Sequence, residues 1–318
     1  DGSKMSKSVG NVVDPGEIID KFGPDTARFF ILFTALPEKE LEWSDTGVEA
    51  CHRFLQRVAS LAEEVNYGDE ARREDTYLIS KTHSTIRDVT LLIEDMKYSL
   101  ALQKIMEYAN LLHKYKEKAV NRGVYDTGVE ALIKMLAPIA PHLCEELWQT
   151  TGHDGFVSTA DWPSYDEKMI DAVAEAVQDQ LIALKEDIRK VLELAKVEQP
   201  KKITLFLPAG WKYELVKIVK ETLEATVNPK EVIGKVMAVP ELKQHGQVVM
   251  KLVPAFLKDR GKLPATLFTL GEEKEHLSSM EPELAEIFGC EIEIVEAGGI
   301  KHPKAEQGMP GKPAILVE

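Results

Sequence analysis

The chain has 318 residues and a formal net charge of −14, with 44% hydrophobic and 29% charged residues. That length suits about two domains, with enough apolar residues for ordinary buried cores. Its three cysteines, Cys51, Cys144 and Cys290, lie far apart with no C-x-x-C spacing, which argues against a disulfide framework or a cysteine zinc site and fits a reducing cytoplasm; no apolar run reaches the ~18 residues that span a membrane.

The opening stretch "DGSKMSKSVGN" is rich in Gly, Ser and Lys and reads as a loop. A Lys-x-x-Lys pair in such a loop can hold an anion, with Ser hydroxyls and backbone N–H groups adding donors. The phosphate loop G-x-x-x-x-G-K-[ST] is excluded, because neither Gly2 nor Gly10 stands in that spacing. "VDPGEIIDKFGPD" then predicts a short helix with Asp14 as N-cap, Pro15 in the first turn and a stop at Gly23-Pro24. "DTARFFILFTALP" predicts an apolar helix ending before Pro37.

From Ser44 the period is regular. Val48, Cys51, Leu55, Val58, Ala62 and Val65 recur at steps of three and four, the pattern of an amphipathic helix, with Arg53 and Arg57 mostly off the apolar stripe. Further helices are predicted at about 75–94, 98–120 and 127–150, the last kinked or broken at Pro138 and Pro141. Four such helices with short connections predict an antiparallel bundle. His142 lies between apolar positions and is expected to be packed, and Trp148 and Trp162 are expected to close the bundle end. Glu145-Glu146 reads as a solvated face.

"STADWPSYDEK" is a seam, and residues 168–197 read as one long helix ended by Gln199-Pro200. A strand "KKITLFLP", a helix "GWKYELVKIVKETLEA", two shorter helices, a helix "EPELAEIFGC", a strand "EIEIVEA" and a terminal strand "PAILVE" follow. Strands mixed with helices indicate a small α/β domain. The predicted fold is therefore mainly α: an antiparallel helical bundle followed by a small α/β C-terminal domain.

Charge is unevenly distributed. Residues 181–270 hold 16 Lys and Arg against 10 Asp and Glu, a net of +6 inside an acidic chain. Lys201, Lys202, Lys212, Lys217, Lys220, Lys258, Arg260 and Lys262 supply much of that balance, which suits either a solvated Lys-rich surface or a contact with phosphate backbones. In "HKYKEKAVNRG", Lys114, Lys116, Lys118 and Arg122 sit near a helix end, where basic residues also complement the dipole.

The opening string as a whole is more specific than its lysines. "KMSKSVGNVVDP" resembles the KMSKS loop of class I aminoacyl-tRNA synthetases. The resemblance continues through "FGPDTARFFILFTALPEKELEWSDTGVEACHRFLQRV" and returns in "MLAPIAPHLCEELW" with "DWPSYDE". Leu-Glu-Trp, Gly-Val-Glu and Arg-Phe-Leu-x-Arg-Val are most similar to the leucyl family. The isoleucyl and valyl families share the scaffold and stand as alternatives. The long tail ending "KPAILVE" is similar to the archaeal and eukaryotic-cytosolic leucyl type.

The resemblance implies a division into residues 1–43 (KMSKS loop and stem-contact segment), 44–165 (anticodon-binding bundle), 166–198 (connecting helix) and 199–318 (tRNA-binding α/β domain). It implies catalytic roles for Lys4 and Lys7, with ATP held by Lys7, Ser6 and Ser8. It also implies tRNA contacts among Arg53, Arg57, Lys114, Lys118, Lys201, Lys202, Lys258, Arg260 and Lys301. ATP with Mg2+ is the implied cofactor of the complete enzyme, and no metal ligands are expected here. Leucine tRNA, through its long variable arm, is the implied partner of a cytoplasmic monomer with no membrane contact. None of the eight histidines forms the family's His-x-Gly-His motif. The nucleotide fold and leucine pocket are therefore expected upstream of Asp1, with no ATP bound and no catalysis by this segment alone. A tRNA-binding or protein-interaction module without catalysis is the reading from a different class.

Overall fold

The computed structural model describes residues 5, 6, 8, 10, 12–34, 42–298, 300 and 302–318. The chain divides into two compact units, Asp1–Glu175 and Ala176–Glu318.

In the first unit, α1 (Pro15–Phe22) starts where the Asp14 carboxylate accepts from the Gly16 N–H. Gly23, at φ 83°, turns the chain into α2 (Pro24–Thr34). Ser44 caps α3 (Asp45–Ala59), whose Val48, Cys51, Leu55 and Val58 are buried as the period requires. The bundle continues with α4 (Arg73–Glu94), α5 (Tyr98–Lys116), α6 (Arg122–Leu136) and α7 (Pro141–Thr150). A hairpin turn at Met96, φ 57°, joins α4 to α5. Leu78, Leu102, Ile105, Leu112, Leu132 and Leu136 are fully or almost fully buried in one continuous core.

The break expected at Pro138 and Pro141 falls between α6 and α7, since neither proline has an N–H to give the helix ladder, and α6 starts at Arg122, earlier than the 127 expected. Two further expectations change here. The helix predicted to reach 120 ends at Lys116, and Val120 instead pairs with Tyr67 in an isolated bridge. The long helix, α8, runs Ala172–Ala195 after a one-turn 3-10 segment. Glu175 on its first turn accepts from Ser80 and Ser84 and pairs with Lys81, all on α4.

The second unit has a three-stranded mixed sheet of order β2-β1-β3, formed by β1 (Lys202–Leu207), β2 (Glu291–Glu296) and β3 (Ala314–Val317). β1 pairs parallel with β2 and antiparallel with β3. Ile203, Leu205, Leu207, Ile292 and Ile315 pack against Leu181, Leu184 and Ile188 of α8 and against Leu277, Met280 and Leu284 of α13 (Leu270–Phe288). Between β1 and α13 lie α9 (Gly210–Ala225), α10 (Pro229–Met237), α11 (Pro240–Lys243) and α12 (Gly246–Lys258), with their own core of Val219, Val232, Val236, Val249 and Phe256. The fold is mainly α, a helical bundle followed by a small α/β unit. α13 starts eleven residues before the stretch read as a helix in the sequence, and Pro282 lies inside it. Leu277 and Met280, buried on its first half, supply the packing that carries the helix across the proline.

Candidate nucleic-acid interface

Lys4 and Lys7 of the opening loop, and Lys301 near the C-terminus, lie outside the described residues. Among the described residues of the opening loop, the Ser6 and Ser8 hydroxyls are 2.7 Å apart, and the Gly10 N–H closes a turn on the Ser6 carbonyl at 3.1 Å. Gly10 takes φ 73°, a left-handed geometry that favours glycine. The two hydroxyls hydrogen-bond one another, so one of the two O–H donors is spent within the turn.

On the bundle, Arg53 is exposed and pairs loosely with Glu49 at 3.9 Å. Arg57 donates to Asn110 Oδ1 at 2.8 Å, tying α3 to α5. Lys114 and Lys118 are exposed. Lys116 differs from its neighbours: it donates to the carbonyls of Ser60 and Glu63. Burial lowers its pKa from the ordinary lysine value, against the pull of Glu63 and Glu64. Arg122 is the first residue of α6 and not the end of a helix, so the dipole no longer explains it. It lies over the Tyr67 ring at 3.7 Å and near Asp126 at 3.9 Å.

His142, expected to be packed, is exposed; its Nδ1 bonds Asp25 Oδ1 at 2.8 Å. Trp148 is buried and stacked on His153, whereas Trp162 is partly exposed, its indole donating to Thr90. Glu145, expected on a solvated face, accepts from the N–H groups of Val157 and Ser158. Glu145, like Asp25 at the Leu143 N–H, satisfies backbone groups left over at a helix end or turn, which periodicity alone does not reveal.

In the second unit the basic residues fall into two groups. Lys202 pairs with Glu293 at 3.1 Å and Glu291 at 3.6 Å across the sheet, and the Glu293 carboxylate raises its pKa. Lys212 is 5% exposed, donates to the carbonyls of Glu306 and Gly308, and has its pKa lowered by burial. Lys220 donates to the carbonyls of Pro264 and Ala265. By contrast, Lys201, Lys217, Lys258, Arg260 and Lys262 are exposed. Arg260 and Lys220 flank an open groove of about 400 Å3 with Leu223, Leu263 and Pro264 along it and Glu224 at its side. Three of the eight lysines and arginines counted in the sequence balance therefore hold the fold's own carboxylates and carbonyls, and five face solvent. Among the described residues no group of three or more His, Cys, Asp or Glu is placed to hold a metal, and no helix is long and apolar enough to cross a membrane.

Residues 1–44 match the family described as tRNA synthetases class I (I, L, M and V), and residues 75–205 match the anticodon-binding domain of tRNA ligase. The leucine–tRNA ligase of Halobacterium salinarum is 32% identical over 323 residues, covering all of this chain and 36% of the relative. That of Methanocaldococcus jannaschii is 32% identical over 326 residues, covering all of this chain and 33% of the relative. Over its whole length the chain is homologous to leucine–tRNA ligases. It spans about a third of the length of the curated leucine–tRNA ligases it matches. Both relatives are archaeal, in keeping with the type that the tail resembles. Among solved structures, an Agrobacterium radiobacter K84 LeuRS in a ternary complex with tRNA and LeuAMS is similar in fold, with a TM-score of 0.50 and 24% identity over 77% of this chain and 29% of that one. Within the leucine–tRNA ligase frame, the class I match carries the loop, α1 and α2, and the anticodon-binding match carries α4 to α8.

Proposed function

We propose that this chain is the C-terminal, tRNA-binding part of an ATP-dependent leucine–tRNA ligase. The observation that carries this reading is the match of the whole chain, from the KMSKS loop to its last strand, to leucine–tRNA ligases. In the complete enzyme the leucine carboxylate attacks the α-phosphorus of ATP, forming leucyl-adenylate and releasing pyrophosphate; the leucyl group then passes to the terminal ribose of tRNA. Negative charge grows on the departing pyrophosphate in the first step. Cations held beside it stabilise the transition state more than the ground state. Lys7 is the main contact in this reading, Lys4 assists, and Ser6 and Ser8 donate to phosphate oxygens. The bundle and the exposed basic residues of the second unit bind leucine tRNA, with its long variable arm as the element met by the C-terminal unit.

Pyrophosphate exchange in the complete ligase tests the reading. Lys7→Ala should slow leucine-dependent exchange with little change in the KM for leucine, because the lost charge acts as pyrophosphate develops. One charge-assisted contact of this kind is worth about 2–4 kcal/mol. An unchanged exchange rate would reduce the loop to a solvated surface feature.

A further inference from the structure

The break between α6 and α7 leaves carbonyls without partners at one end and N–H groups without partners at the other. Ala140, at the N-cap position of α7, has no side-chain oxygen to offer. The partners come from α2 instead. Asp25, 7% exposed, accepts from the Leu143 N–H at 2.8 Å through Oδ2 and bonds His142 Nδ1 at 2.8 Å through Oδ1. A carboxylate there also faces the positive end of the α7 dipole. One turn further along α2, Arg28 donates from Nε to the Ile139 carbonyl and from Nη2 to the Pro138 carbonyl, both at 2.9 Å. The acid meets the free N–H groups and the guanidinium meets the free carbonyls. Asp25 and Arg28 stand three apart, on one face of the helix.

A Ser, Thr or Asp at position 140 would cap α7 locally and without desolvating a distant charge. Asp25 reaches across 117 residues to His142. Asp25 is buried and Arg28 exposed; a buried charge such as Asp25 adds little net stability over a well-packed alternative, and the best-attested use of such groups is to set register between segments. The segment set in register here is α1–α2, which follows the KMSKS loop through the Asp14 cap and the Gly23 turn.

We propose that Asp25 and Arg28 are positioning residues: they latch the segment carrying the KMSKS loop onto the bundle at the α6–α7 break, so that tRNA held by the bundle presents its acceptor end to the adenylate in a fixed geometry. This inference rests on the reading of the chain as part of a leucine–tRNA ligase. The latch acts on placement between two bound parts. Its loss therefore weighs on the tRNA-dependent step and leaves adenylate formation, which needs no tRNA contact with the bundle, largely intact.

The test uses the complete ligase with Asp25→Ala, Asp25→Asn, Arg28→Ala and Arg28→Lys. Single-turnover leucyl transfer should slow by on the order of tenfold in both alanine variants, below the ~10²-fold that a 1 Å misplacement can cost, with pyrophosphate exchange within about twofold of wild type. Asp25→Asn should restore most of the transfer rate, since an amide oxygen still accepts from the Leu143 N–H. Arg28→Lys should restore less, because a single ammonium does not match the two-carbonyl fork. Wild-type transfer in Asp25→Ala would overturn the latch. So would a parallel fall of exchange and transfer with Asp25→Asn as impaired as Asp25→Ala, which is the pattern of a fold defect. A wild-type ligase lacking leucine-dependent exchange would defeat the functional reading and not the latch. The latch is then decided by amide hydrogen exchange on the 318-residue chain: Asp25→Ala must speed exchange across residues 15–34 while α4 and α5 keep wild-type rates, and unchanged protection of 15–34 overturns it.

Discussion

Glu273 is fully buried. Its oxygens accept from Gln180 Nε2 at 3.1 Å, from the Tyr213 hydroxyl at 2.9 Å and from the Gly311 N–H at 3.1 and 3.0 Å, joining α8, α9, α13 and the loop before β3. Burial raises its pKa from the ordinary glutamate value, and the three donors offset this only in part. The folded state thus holds the proton to higher pH than the unfolded chain does. The stability from this group is complete below the ordinary glutamate pKa and is lost as pH rises through the raised one. Glu273→Gln removes that dependence, and its amide can donate to Gln180 Oε1, which is buried without a partner. Urea denaturation of both chains at pH 4, 5.5 and 7 should show the stability difference moving in favour of the glutamine variant as pH rises. Parallel pH profiles would mean that the carboxyl is not desolvated in solution. The charged sequence context of Glu273, between Glu272 and Lys274, resembles that of any exposed helical glutamate, so nothing in the sequence singled it out.

At the scale of elements, α4, α5 and α6 meet where Gly128 stands. A Cβ there would lie 2.9 Å from the Tyr108 hydroxyl and 3.0 Å from a Leu112 methyl. The hydroxyl is fixed by Thr82 Oγ1 at 2.7 Å and the Gly128 carbonyl at 3.3 Å, so it has little room to yield. Gly128→Ala gains up to ~1 kcal/mol in helix propensity and loses ~1–3 kcal/mol to overpacking. A lower thermal midpoint of the bundle is expected, and a raised midpoint would show that Tyr108 can move aside. The periodicity of α3 to α6 was readable because an amphipathic stripe repeats in the sequence whatever it packs against. The start of α13 was not, because its Thr269–Glu272 capping box precedes a charged, weakly apolar first turn and Pro282 imitates a helix start.

At the scale of the whole molecule, a chain of net charge −14 has a stretch of net charge +6, and the structure sorts the cations within it. Lys202 is committed to Glu291 and Glu293, whereas Lys258 and Arg260 are exposed. If the second unit binds RNA, affinity for leucine tRNA should fall steeply with salt, each neutralised phosphate releasing a counterion. Combined Lys258→Gln and Arg260→Gln should reduce the slope of log affinity against log salt by up to about 2. Lys202→Gln should change it little. Filter binding from 50 to 300 mM salt checks this, and a Lys202 effect equal to that of the exposed pair would contradict the sorting. A tRNA with a long variable arm should bind more tightly than one with a short arm; equal binding would leave only a nonspecific patch.

The sequence by itself determined the fold class, the period of the bundle helices, the three strands and the resemblance to leucine–tRNA ligases, because these rest on local pattern and on contiguous motifs such as "KMSKSVGNVVDP". Only the tertiary structure decided which polar groups are shared across the chain. Asp25 accepts from the Leu143 N–H, Lys212 is buried against loop carbonyls, and Arg28 closes a helix break more than a hundred residues away. The physical reason is common to all three. A helix end or turn leaves backbone donors and acceptors that must be satisfied, but any suitably placed side chain can satisfy them, and which one does so is set by packing between segments distant in sequence.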